Sequence, residues 1–182
     1  LEGTSLLIAA GAANARFKKT FQRQHQEGAA ELTIHVHGLT GAHIQFQERQ
    51  LANAIKTVAR ILYYICKEIP CRLISIDGGS QTTIPVDCTA RIALAPTDLA
   101  VAKEIAQRII NEVKFEHKES DPNMALSLHD VPQSAPAMPD EVTNKVVTLL
   151  HLLPCGLVDT SLVFPGLPIS SYTIEPLETQ EA

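Results

Sequence analysis

An α+β fold, an antiparallel sheet with helices on one face, is predicted from three features of the sequence. Apolar and polar residues alternate in "ELTIHVH" (31–37), the period of a half-buried strand. Apolar residues recur at helical spacing over 48–66 and 98–115. Around these segments, short β-rich runs are punctuated by Gly and Pro.

In chain order, residues 4–9 (TSLLIA) and 15–24 (ARFKKTFQRQ) read as a strand hairpin turned by "AGAAN". The second strand alternates Phe17, Lys19 and Phe21 and is expected at a sheet edge. Within 31–37, Leu32, Ile34 and Val36 share one face, and Thr33, His35 and His37 the other. Leu51, Ile55, Val58, Leu62 and Ile65 form one apolar stripe, which predicts a helix over 48–66 with Pro70 as its stop signal. "RLISID" (72–77) is a strand closed by the turn "GGS", and "PVDCTARIALA" (85–95) is the next. Thr97 is placed to cap a helix over 98–115 with Ala102, Ile105, Ile109 and Val113 inward. "ESDPN" breaks it, and "MALSLHDV" (124–131) is another strand. A Pro-rich connector leads to a third helix at 139–153, with Pro139 as its first residue and Pro154 and Gly156 at its end. Residues 163–182 finish polar and acidic and are expected to be an irregular tail. The order strand, helix, strand, strand, helix, strand over 31–130 is that of a ferredoxin-like sheet with the opposite face free. An N-terminal strand hairpin and a C-terminal helix complete it.

The 182 residues suit a single domain. With 45% apolar residues, 4% aromatic and no Trp, the core must be aliphatic. Fifteen Lys and Arg against 20 Asp and Glu give a net charge of −5, which argues against nucleic-acid and anionic-membrane partners. An RNA-binding ferredoxin-like domain would also need aromatics on its central strands, and "ELTIHVH" and "RLISID" have none. No apolar run is long enough to predict a membrane span. In "LEGTSLLIAAGAANA", Glu2 stands where a signal peptide has basic residues, so the segment reads as a strand. The first residue is not Met, which predicts a piece excised from a longer chain. Cys66, Cys71, Cys88 and Cys155 lack C-x-x-C spacing and read as reduced, small, buried or half-buried residues of a cytoplasmic protein.

Candidate chemistry is sparse. His35 and His37 leave one side of a strand and could grip a metal, but no third or fourth ligand accompanies them, so a polar strand face is the simpler reading. No nucleophile elbow, Walker loop or dinucleotide fingerprint is present. "GLTGAH" and "DGGSQ" are weak phosphate candidates, and Asp77 and Asp87 read as turn formers. Of the adjacent Tyr63 and Tyr64, at most one can be core. Composition and spacing thus give a domain without a self-contained active site.

Several segments in collinear order resemble the lid domain inserted in aminoacyl-histidine dipeptidases, of the zinc dipeptidase clan that includes carnosinase and carboxypeptidase G. "VHGLTGAH" (Val36–His43) resembles that family's V-x-G-L-x-G-G-H segment. "ERQLANAIKTVARIL" (Glu48–Leu62) is similar to its E-R-x-N-A-x-K-x-L-x-R-x-L helix, and "ISIDGGSQTTIP" (Ile74–Pro85) to its G-G-x-x-x-N-x-I-P hairpin. "GLVDTS" (Gly156–Ser161) resembles G-L-V-E-T-S, and "EGTSLLIAAGAANARF" (Glu2–Phe17) resembles E-G-E-I-x-x-G-x-A-G-G. Three departures stand out. "HIQFQ" follows His43 in place of Ser-Gly and an acidic residue. The hairpin is shortened, with Thr82 or Thr83 nearest its Asn. A stretch between "LLPCG" and "LVDTS" is missing.

The resemblance implies that residues 1–162 form a lid or dimerisation-type domain of a cytosolic zinc-dependent dipeptidase. The zinc and the general base would belong to a separate catalytic domain, and no cofactor to this chain. His43 matches a lid histidine that binds substrate and stabilises the oxyanion, and Thr83 is the second candidate substrate-binding residue. The implied partners are the chain's own catalytic domain, a dipeptide substrate and, as an open possibility, a second copy of the chain in a homodimer. The alternative is a stand-alone ferredoxin-like module for binding or oligomerisation, without catalytic activity.

Overall fold

Alternation and helical spacing become real elements in the computed structural model, which describes residues 2–9, 12–18, 20–24, 28–42, 51–79, 83–132, 135–164, 168–174 and 176–180. In chain order they are β1 (Glu2–Ala9), β2 (Ala12–Lys18), β3 (Ala30–His37), α1 (Ala54–Glu68), β4 (Cys71–Gly78), β5 (Cys88–Leu94), α2 (Leu99–Glu116), β6 (Ala125–Pro132), α3 (Asp140–Leu152), β7 (Gly156–Thr160) and β8 (Pro168–Tyr172). β1 and β2 pair as an antiparallel hairpin, as expected. β3 to β6 form one antiparallel sheet in the order β4-β5-β3-β6. The fold is α+β: a four-stranded antiparallel sheet with three helices, and the small two-stranded sheets β1-β2 and β7-β8. Among the described residues, no helix is long and apolar enough to cross a membrane.

The core lies between one face of the sheet and the helices, and it is aliphatic. Leu32, Ile34 and Val36 of β3 meet Ile55, Val58, Leu62 and Ile65 of α1 and Ile105, Ile109 and Val113 of α2 in one buried cluster. Each such side chain contributes about 1.5–3 kcal/mol when fully buried. α3 packs beside α1, with Val147 and Leu150 joining the same cluster.

Several boundaries differ from expectation, each for a local reason. α1 begins at Ala54, because Asn53 caps it by accepting the N–H of Lys56 at 3.1 Å. Leu51, although in register with the stripe, therefore precedes the helix. A 3₁₀ turn at Pro96–Asp98 precedes α2, so Asp98, and not Thr97, is the residue before the helix. Pro139 sits one position before α3. β5 starts only at Cys88, opposite Gly78. The expected irregular tail is corrected at 168–172, where β8 pairs with β7 as an antiparallel ribbon. The sheet's second face is not wholly free either: Ile74, Ala93 and Ala137 form a small buried cluster on it. Arg23 reaches across to the carbonyls of Ile74 and Pro136.

Candidate functional site

The chain leaves the sheet at His37 and turns through two glycines that do different work from the flexibility their type suggests. Gly38 has φ +77, and a Cβ there would lie 2.3 Å from the Asn123 carbonyl oxygen. Gly41 has φ +63, and its Cβ would lie 2.2 Å from Val86 Cγ1. Both positions demand a left-handed backbone and close approach, so the glycines fix the turn.

Hydrogen bonds then hold this turn. The Thr40 N–H donates to Asp121 Oδ1 at 2.8 Å, and the Thr40 hydroxyl to the Ser120 carbonyl at 2.7 Å. The Ile84 N–H donates to the Ala42 carbonyl at 2.9 Å, and the Ala54 N–H to the Pro85 carbonyl at 3.0 Å. The residue before His43 is thus bonded to the residue after Thr83. The two loops singled out in the sequence lie side by side, although their distance along the chain gives no hint of it. Thr83 is half-buried at this contact. His43 and Thr82 lie outside the described residues.

His35 and His37 lie together on the sheet face away from the core, ring centroids 4.7 Å apart. His37 Nε2 shares a hydrogen bond of 2.9 Å with the Ser127 hydroxyl. Burial, and then the neighbouring His37, hold the His35 pKa below the usual histidine range; Asp87 opposes this and His129 adds to it. A neutral imidazole is what a metal needs, but among the described residues no group of three or more His, Cys, Asp or Glu could hold one. Zinc therefore has no ligand set in the described part of this chain.

Other candidates resolve into structure. Asp77 Oδ1 accepts the N–H of Thr179 at 2.7 Å and Asp87 is exposed, while residues 80–82 of the turn between them lie outside the described residues. Tyr63 and Tyr64 are both half-buried, Tyr63 stacking on His151 with centroids 4.1 Å apart and planes 9° apart. All four cysteines are free thiols, Cys88 buried and the others half-buried. Burial pushes the Cys88 thiol up, with Asp77 and Asp87 adding to it. Sequence reasoning missed Asp121, because an Asp before Pro in "SDPN" reads as a turn former. Its bonds reach residues 81 and 69 positions away, a relation that local pattern cannot show.

Against known proteins, residues 24–121 match the family described as Peptidase dimerisation domain. The chain is 30% identical over 125 residues to the cytosol non-specific dipeptidase of Escherichia coli (strain K12), covering 68% of this chain and 26% of that protein. The crystal structure of aminoacylhistidine dipeptidase from Vibrio alginolyticus superposes with a TM-score of 0.80 at 21% identity. It covers 88% of this chain and 33% of that one, a likeness of fold. The chain therefore spans only a minor part of the length of either protein. With the family match covering more than half of its length, this chain belongs to the peptidase dimerisation domain family.

Proposed function

We propose that this chain is the lid domain of a cytoplasmic zinc-dependent dipeptidase acting on short peptides of the aminoacyl-histidine type. His43 and Thr83 would be on its substrate-facing side, and the zinc in the catalytic domain of the parent enzyme. The observation that carries this reading is the Ile84–Ala42 hydrogen bond, which brings together the two loops where substrate-contacting residues are expected. The family match and the named dipeptidase relative support the same parentage. A donor held at such a corner can stabilise the oxyanion formed when a peptide carbonyl is attacked, and its contribution grows as water is excluded. The sheet order β4-β5-β3-β6, with α1 and α2 against one face, supports reading 31–130 as a ferredoxin-like core within a lid of residues 1–162.

The test is His43→Ala in the full-length enzyme. Its kcat/KM for a dipeptide is expected to fall on the order of a hundredfold, the usual effect of removing one oxyanion donor, with zinc content unchanged. Unchanged turnover would rule out the substrate-contacting role.

A homodimer reading is also favoured by a specific observation. β6 ends the sheet, and among the described residues its outer side receives no backbone partner. An unpaired edge of this kind accepts another strand, and a second copy can supply it by antiparallel pairing. Sedimentation equilibrium tests this: a dimer that survives charged substitutions along β6 would exclude this edge as the contact.

A further inference from the structure

We propose that Asp121 is a positioning residue for the substrate-facing corner, its carboxylate tying Thr40 to Ala52 and so setting the geometry of the Ala42 contact with Ile84 beside Thr83. This rests on the lid reading above and adds to it the group that sets the geometry of that corner. Asp121 is only 1% exposed, yet it carries a carboxylate, which is costly to bury unless several donors surround it. The donors here are specific. Oδ1 accepts the N–H of Thr40 at 2.8 Å; Oδ2 accepts the N–H of Ala52 at 2.8 Å and the Ser120 hydroxyl at 2.9 Å. Thr40 precedes the segment that begins at His43, and Ala52 follows it. One carboxylate thus ties the chain at Thr40 to the chain at Ala52, one oxygen to each.

The mount for this clasp is firm. The Asp121 N–H donates to the His117 carbonyl at 2.8 Å, at the C-terminal end of α2, and the Asp121 carbonyl accepts the N–H of Met124 at 3.1 Å. Gly38 lies against Asn123 so closely that no side chain fits, which seats the β3 exit on the same turn. From there the coupling passes along the chain: Thr40 is two residues from Ala42, whose carbonyl holds Ile84 beside Thr83, and Ala52 is two residues from Ala54, whose N–H holds Pro85. A carboxylate is needed, because a carboxamide of the same size has one acceptor oxygen and would turn an N–H₂ towards one of the two backbone donors.

Asp121→Asn tests this in two settings. In this chain, amide hydrogen exchange at Thr40 and Ala52 is expected to accelerate roughly tenfold, the equivalent of one lost hydrogen bond. Exchange at Ile84, which does not bond Asp121, is expected to accelerate with them, while Ile34 and Ile92 in the sheet stay protected. In the full-length enzyme, kcat/KM is expected to fall roughly tenfold with zinc content unchanged. Ser120→Ala removes one of the bonds to the carboxylate and should show the same pattern with smaller amplitude, which keeps the test available if the Asn variant does not fold. Loss of protection at Thr40 and Ala52 with Ile84 unmoved would overturn the positioning role. So would an unaltered kcat/KM in an enzyme that His43→Ala impairs. If His43→Ala itself has no effect, the lid reading fails, and the exchange pattern still judges the clasp.

Discussion

The two edges of the four-stranded sheet are built on opposite plans. β4 is an edge strand by sheet order, but its outer backbone is occupied almost continuously by other parts of the chain. The Leu73 N–H donates to the Thr143 hydroxyl at 3.0 Å, and its carbonyl accepts the Met138 N–H at 2.7 Å. The Ile74 carbonyl takes Arg23 at 2.9 Å. Ile76 exchanges two hydrogen bonds with the Thr179 hydroxyl, and Gly78 exchanges two with Leu177, both at 2.9 Å. β6, at the far end, has β3 on one side and no backbone partner on the other among the described residues. Half of it is exposed, from His129 to Pro132. An uncovered edge is a template for association, so a domain that meets one copy of itself should close one edge and leave the other. The contrast gives the homodimer proposed above its location, the open edge at β6.

The largest effect should come from opening the closed edge. Ending the chain after Ile174 removes Leu177 and Thr179 together, with all their bonds to Ile76, Asp77 and Gly78. The expected loss is about 3 kcal/mol after allowing for the entropy the freed tail regains, read from urea unfolding. The truncated chain should also self-associate beyond a dimer in light scattering, because β4 is now open from Ile76 to Gly78 as well as β6. A truncated protein that keeps the parent's association state would show that the tail is not what keeps β4 from pairing. Next in size is Thr143→Val, which keeps the shape of a fully buried residue and removes the acceptor of the Leu73 N–H. An unsatisfied buried donor costs about 1–2 kcal/mol, to be seen as a lower midpoint at unchanged m.

How much of this was legible in the sequence follows from range. The alternation in 31–37 fixed the faces of β3 correctly, since burial on a strand is a local period of two. The α1 stripe was real, but it overran the helix start, because Leu51 keeps the period while Asn53 caps the backbone and Asp121 takes the N–H of Ala52. The β7–β8 ribbon was missed because it obeys neither signal. Val158, Ile169 and Tyr172 are exposed apolar residues in it, and Pro168 opens the second strand. At the candidate site, the loops were legible as loops, but their contact through Ala42 and Ile84, and Asp121 beneath them, depend on tertiary packing. No pattern read within a short window of sequence carries that information.

A smaller effect on folding, and a large one on assembly, is expected at the open edge. Val131 on β6 is 49% exposed, so Val131→Lys should change folding stability by less than about 0.5 kcal/mol. A lysine on an edge strand discourages strand pairing, so a dimer built there should dissociate in sedimentation equilibrium. A stable dimer of this variant, at unchanged affinity, would move the contact elsewhere.

The smallest effect separates the edges by charge. Each carries an ion pair: Arg72 with Asp140 at 2.6 Å beside β4, and Lys103 of α2 with Asp130 on β6. A hydrogen bond to the partner cation holds each carboxyl below the usual aspartate range. With the folded pKa depressed, any stabilisation is present above the unfolded value near 3.8 and is lost as pH falls from there through the folded pKa. Stability should therefore be insensitive to these pairs between neutrality and pH about 5, and should decline only in the acid window below that. Both carboxylates are largely exposed, so the decline is shallow. At the closed edge, α3 holds Asp140 against Arg72 whatever the association state, whereas pairing at β6 would draw Asp130 into an interface. NMR titration of the two side-chain carboxyls should thus find the Asp140 midpoint independent of protein concentration and the Asp130 midpoint dependent on it. Equal behaviour at both would remove the electrostatic distinction between the edges.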